Sequence, residues 1–387
     1  NGHDAWTYNA DYLSTDQYKN LSSLFKGFED YKAYFKDEEN ALWAEIVEKI
    51  ISFKPDWIGY TSYTANLSAI NVISKKIRDA MPGVKQVVGG VHATLDRETL
   101  LKLPAIDYAV QREGEFPMLQ LVNGDDPSKI IGVSRRTVFG IQGAGDSPKI
   151  PDIDELPFPE REKLWGIDDQ QKKEVDVSYI VSIRGRPYKC TYCNSPSQTQ
   201  IYKDEINVTF FRKAEISRIE HEIQTMINKY KADSLYFWAD TFLSWNKADF
   251  YEFCDMYEKY KLPFWIQTRP ETIKKEYFER LKEIGLLRVA FGIEHGSEWF
   301  REKYLERKLK NSKIIEKLKI VTDMKIPISV NNIMGFPFET RELAFDTIEL
   351  NRHIDSDGIN AYTFVPFHGV PLRKVSEDNN FVKKGKI

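Results

Sequence analysis

Ile183-Arg184-Gly185-Arg186-Pro187-Tyr188-Lys189-Cys190-Thr191-Tyr192-Cys193 places two thiols in a C-x2-C pair, on a loop that directly follows an apolar run. Thiols so spaced at a strand-to-loop junction can hold iron or zinc. The loop also opens a regular alternation of short apolar runs and amphipathic stretches. Strands are predicted over 179–184, 234–239, 264–268, 288–293, 327–334 and 360–365. Helices are predicted between them, over 214–230, 247–260, 275–284, 312–324 and 340–352. Six such βα units make a partial (βα)6 TIM-type barrel, two units short of a full one. Functional groups of that architecture stand at the C-terminal strand ends, and the thiol loop follows the first strand.

Upstream the rhythm is similar. Residues 41–53 read as a helix, with Leu42, Ile46, Ile50 and Ile51 on one face. A strand over 56–63, a helix over 68–81 closed by Pro82-Gly83, and a strand over 85–90 follow. A helix over 98–103 and a strand over 106–111 complete the series. Alternation of this kind predicts an α/β, Rossmann-like, doubly wound parallel sheet, whose ligands sit beyond the carboxyl ends of the strands. Prolines at 151, 157 and 159 interrupt regular structure. The expected division is therefore a first domain at 1–130, a linker with a hairpin at 131–175, and the barrel at 176–387.

Composition sets the remaining bounds. The 387 residues are 42% hydrophobic, which suits a globular chain of two or three domains. Lys plus Arg is 55 and Asp plus Glu is 58, a net charge of −3 that argues against a nucleic-acid binder. No apolar run is long enough for a membrane span, and residues 1–6 lack a signal-peptide pattern. Three cysteines cannot build a disulfide framework, so a reducing, cytoplasmic setting is expected. The chain begins without Met and reads as starting inside a βα unit, so further residues are expected before Asn1 and after Ile387.

The whole chain resembles the cobalamin-binding subfamily of radical S-adenosylmethionine (radical SAM) enzymes. In the first half GYTSYT at 59–64, VGGVHAT at 88–94 and DYAVQREGE at 107–115 are similar to the family's corrinoid domain. In the second half the likeness rests on the loop at 183–193, FWADTF at 237–242, QTRPE at 267–271, GIEHGSE at 292–298, MGFPFET at 334–340 and VPFHGVPL at 365–372. The family's loop reads C-x3-C-x2-C and carries a 4Fe-4S cluster. Cys190 and Cys193 match its last two metal ligands, while Arg186 stands at the first. A guanidinium stays protonated and cannot replace a thiolate.

The resemblance implies that Tyr192, Gln267, Arg269 and Glu294 meet S-adenosylmethionine, and that Asp240 and Glu294 act in catalysis. For cobalamin it implies Tyr60, Thr61, Ser62, Thr64, Gly89, Gly90, Val91, His92, Glu113, Gly114 and Glu115. Without Cβ atoms the Gly89-Gly90 backbone could approach a flat ring closely. The D-x-H-x-x-G loop through which many corrinoid proteins ligate cobalt is not seen, so a lower face without a protein imidazole is implied. Cys254, amid aromatic residues in a predicted helix, reads as a core thiol.

The reaction implied is methyl transfer to an unactivated carbon or phosphorus centre, through a 5′-deoxyadenosyl radical and methylcobalamin. The expected partners are a small-molecule or peptide-like substrate and an external one-electron reductant such as flavodoxin or ferredoxin. Some relatives close or contract rings instead. Arg186 motivates two alternatives: a corrinoid-binding protein whose barrel has lost radical chemistry, and a zinc-binding scaffold.

Overall fold

The computed structural model describes residues 41–145, 152–161 and 178–384. The N-terminal segment read above and stretches 146–151 and 162–177 of the expected linker region lie outside them. The chain forms two compact units, one mainly Asn1–Pro151 and one mainly Lys173–Lys386.

In the first unit, β1 (Trp57–Thr61), β2 (Lys85–Gly89) and β3 (Tyr108–Val110) run parallel in chain order. The middle strand, β2, is buried on both faces, as the centre of a parallel sheet requires. Adjacent Val87 and Val88 show this: Val88 packs with Leu67, Ala93, Leu100 and Ala109, and Val87 with Val110, Leu121 and Val133. Helix Leu67–Ala80 turns Ile73 and Ile77 toward Trp43, Ile46 and Ile58. Arg78 ties the β2 and β3 entries together through Asp107 at 2.7 Å, and Asp107 also accepts from the Gln86 amide at 2.8 Å. The expected hairpin is β4 (Val133–Thr137) and β5 (Gly140–Gly143), and it extends this sheet antiparallel to β3 rather than lying free in a linker.

The second unit is a six-stranded, all-parallel sheet. Its strands are β6 (Ser178–Val181), β9 (Leu235–Trp238), β10 (Phe264–Thr268), β11 (Leu286–Glu294), β12 (Ile328–Met334) and β13 (Gly358–Thr363), in chain order across the sheet. The strand predicted over 179–184 is divided. Its second piece, β7 (Ile183–Arg184), pairs with β8 (Arg212–Lys213) outside the main sheet. Gly185 turns the chain there at φ +76, where a Cβ would lie 2.7 Å from the Phe210 carbonyl. Helix Lys247–Tyr257 packs on the sheet through fully buried Phe250, Phe253 and Tyr257, with Phe237 and Phe264 edge-on to them. Because all six strands share one direction, their carboxyl ends lie along one edge. Among the described residues no helix is long and apolar enough to cross a membrane.

Candidate functional site

At that edge a cavity of about 450 Å³ opens, within the size range of small-molecule sites. Its walls include the thiol loop with Arg186, Cys190 and Tyr192; Asp240 after β9; Gln267 and Arg269 at the end of β10; Glu294 closing β11; Arg307; Asn331 and Ile333 of β12; and Phe364, Val365 and Phe367 after β13. Cys190, Tyr192, Asp240, Gln267, Arg269 and Glu294 all line this cavity, whereas Cys193 does not. Cys254 is fully buried in helix Lys247–Tyr257, and burial pushes its thiol up to about 12.

Glu294 is aimed by a backbone irregularity. The β11–β12 register slips between Gly292 and Glu294, and Glu294 adopts φ +73, a left-handed conformation that L-residues hold only when the surroundings impose it. A Cβ at Gly292 would meet the Glu294 carboxylate, so a side chain there would displace it. That carboxylate accepts from Arg307 at 3.1 Å, and Arg307 also donates to the Gly292 carbonyl and to both oxygens of Glu271. Glu271 is shared with Arg269 at 2.7 Å. Burial alone would raise the Glu271 carboxyl, but Arg307 and Arg269 outweigh it and hold it down to about 2. Sequence reading quotes Glu271 only as the end of QTRPE, with no role, and misses Arg307, which lies 36 residues away and outside every stretch quoted.

The loop itself is clamped at both ends. Thr191 donates to the Tyr304 carbonyl and accepts at its own carbonyl from the Leu372 amide at 3.0 Å. Tyr192 lies edge-on to Phe336, with ring centroids 6.0 Å apart. Burial and the nearby Glu294 carboxylate push its phenol well above the ordinary range, so the ring stays neutral. Arg269 stacks over Tyr188 at 3.8 Å and donates to Cys190 Sγ at 3.5 Å. The Ser195 amide donates to Cys193 Sγ at 3.4 Å.

This donor set does not complete an iron–sulfur cluster site. Among the described residues the loop offers two thiols, and the side chain at the first ligand position is the guanidinium of Arg186, whose Nε is buried without a hydrogen-bond partner. The remaining cysteine, Cys254, is locked in the aromatic core. A zinc site is equally short of ligands, since the cavity adds carboxylates but no further thiol or imidazole.

In the first unit the strand-end residues divide by role. Tyr60 is turned into the sheet: its hydroxyl donates to Gln86 Oε1 at 2.5 Å, and burial raises its phenol. Ser62 is buried and donates to the Gly89 carbonyl, while Thr61 is exposed. Gly90 has φ +91, and a Cβ on it would lie 2.8 Å from the Ser62 carbonyl oxygen. The absent side chain is therefore demanded by the strand-end packing itself, a different reason from the ligand approach expected. His92 is buried with Nδ1 3.4 Å from Thr64 Oγ1. Gly114 precedes helix Glu115–Val122, whose first turn carries Glu115 where the helix dipole favours a carboxylate. Val91 and Glu113 are partly exposed at the same strand ends.

The family model described as B12 binding domain matches residues 29–122, and that of the Radical SAM superfamily matches 180–350. An uncharacterized methyltransferase of Pyrococcus horikoshii is 26% identical over 227 residues, covering 57% of this chain and 48% of its own length. An anaerobic magnesium-protoporphyrin IX monomethyl ester cyclase of Cereibacter sphaeroides is 25% identical over 243 residues, covering 59% and 37%. This chain thus spans less than half the length of these relatives. Among solved structures, the radical S-adenosylmethionine methyltransferase TsrM from Kitasatospora setae, with cobalamin and a [4Fe-4S] cluster bound, superposes with a TM-score of 0.66. It is 15% identical, over 87% of this chain and 67% of that one. The cobalamin-dependent radical enzyme OxsB superposes with a TM-score of 0.60 at 15% identity, over 88% and 50%. These likenesses establish the fold of both units.

Proposed function

Because this chain is a radical SAM protein with a B12-binding domain, we propose that it transfers the methyl group of S-adenosylmethionine, with cobalamin as carrier, to a small-molecule or peptide-like acceptor. The observation that carries this reading is the cavity at the barrel's C-terminal edge, which Tyr192, Gln267, Arg269 and Glu294 line together. Cobalamin, when bound, supplies a methyl carrier. The chain's own residues hold and orient. Tyr192 offers a neutral ring to a flat base, and Glu294, fixed by Arg307, offers an acceptor to ribose hydroxyls. The Glu271–Arg269–Arg307 network keeps that wall rigid before any ligand arrives. Since the loop does not complete a cluster site, no radical step is derived for this chain. An external reductant such as flavodoxin or ferredoxin would serve the cobalamin.

The test is to incubate the chain with S-adenosylmethionine and reduced cobalamin and to separate the nucleoside products. S-adenosylhomocysteine is expected. Accumulation of 5′-deoxyadenosine would show instead that a cluster assembles and radical chemistry runs. Retention of cobalamin with neither product would favour the second reading that Arg186 supports, a corrinoid-binding protein. Ring formation is the alternative reaction favoured by the cyclase relatives.

A further inference from the structure

Three arginines line the cavity, and two of them are committed. Arg269 is held by Glu271, by Cys190 Sγ and by the Tyr188 ring. Arg307 is held by Glu271, Glu294 and the Gly292 carbonyl. Arg186 differs: it lines the same cavity, yet its Nε is buried with no hydrogen-bond partner among the described residues. A buried Nε–H without an acceptor is unfavourable unless something else supplies one. Asp240 lines the cavity too and acts on the Arg186 charge, while one of its carboxylate oxygens accepts from Ser195 Oγ at 3.3 Å.

We propose that Arg186 and Asp240 together receive an α-amino-acid zwitterion, Arg186 taking the carboxylate and Asp240 the ammonium, and that this pair anchors the methionyl end of S-adenosylmethionine. The inference rests on the function proposed above and deepens it. A planar fork of N–H donors suits a carboxylate in bidentate fashion, and a neighbouring anion selects against ligands that lack the ammonium. The position that in the family's loop carries a thiolate then serves here as a direct organic anchor. Arg186 has this role only if no cluster occupies the loop, so the fit of the ligand and the misfit of the cluster have one cause.

Calorimetric titration of the full chain, without added iron, compares S-adenosylmethionine with decarboxylated S-adenosylmethionine, which keeps the base, ribose and sulfonium but lacks the carboxylate. Loss of a charge-assisted pair predicts a drop in affinity of about tenfold to a hundredfold for the decarboxylated ligand. Arg186→Gln should weaken S-adenosylmethionine by the same factor and leave the decarboxylated ligand unaffected. Asp240→Asn should weaken both, since both keep the ammonium. Equal binding of the two ligands by the chain as written overturns the inference while leaving the proposed function standing, and this comparison needs no variant to fold. Undiminished S-adenosylmethionine binding by Arg186→Gln overturns it likewise. Failure of both ligands to bind overturns the functional reading and the inference together.

Discussion

Glu271 balances two buried guanidinium groups, and its removal leaves both without their shared carboxylate. Glu271→Gln should therefore destabilise the barrel by about 3 kcal/mol, measured by denaturant unfolding. The same group predicts a pH dependence. Its folded carboxyl titrates at about 2 against an ordinary 4.5, so the stabilisation is fully present above about pH 4.5. It is lost as pH falls through 2, a contribution of about 3 kcal/mol that Glu271→Gln should abolish. Stability of the variant that still declined by the same amount over that window would assign the effect elsewhere. The cysteines give a second residue-scale expectation. Cys254 is fully buried with its thiol raised by that burial, and Cys190 is nearly so, whereas Cys193 is partly accessible. Mass spectrometry after brief alkylation of the native chain should find Cys193 modified first and Cys254 last.

Gly185 follows β7 where the thiol loop begins, and its φ of +76 beside the Phe210 carbonyl leaves no room for a side chain. Gly185→Ala should cost about 1–3 kcal/mol and weaken S-adenosylmethionine binding, read by thermal unfolding and calorimetry. Unchanged affinity in a folded variant would mean that the loop's entry angle does not matter. Elements with a strong apolar period are legible from the sequence alone: strand 264–268 lies where predicted, and the helices beginning at Lys247 and Lys275 differ only at their ends. Helix Ser195–Ile206 is not legible, since its polar run SPSQTQ carries no apolar stripe, and helix Glu298–Leu305 is too short to show one. The divided first strand is hidden for another reason. It shows only in the pairing of β7 with the distant β8.

At the scale of the whole molecule, two α/β units and a site at the barrel's carboxyl edge follow from the strand–helix rhythm, because parallel strands must present their ends together. The six strand-end segments quoted for the barrel indicate which side chains line the cavity. They do not indicate how those side chains are held: Arg307, Glu271 and the irregularity before Glu294 are products of tertiary contact. Nor does the hairpin at 133–143 announce from its sequence that it will join the first sheet. The claim on which everything else depends is that the loop, with Arg186 in place of a third thiol, does not hold a cluster. Anaerobic iron–sulfur reconstitution, with iron and sulfide counted per chain, tests it most directly. The account predicts little bound iron in the chain as written and about four irons in Arg186→Cys. About four irons and four sulfides in the chain as written would contradict it.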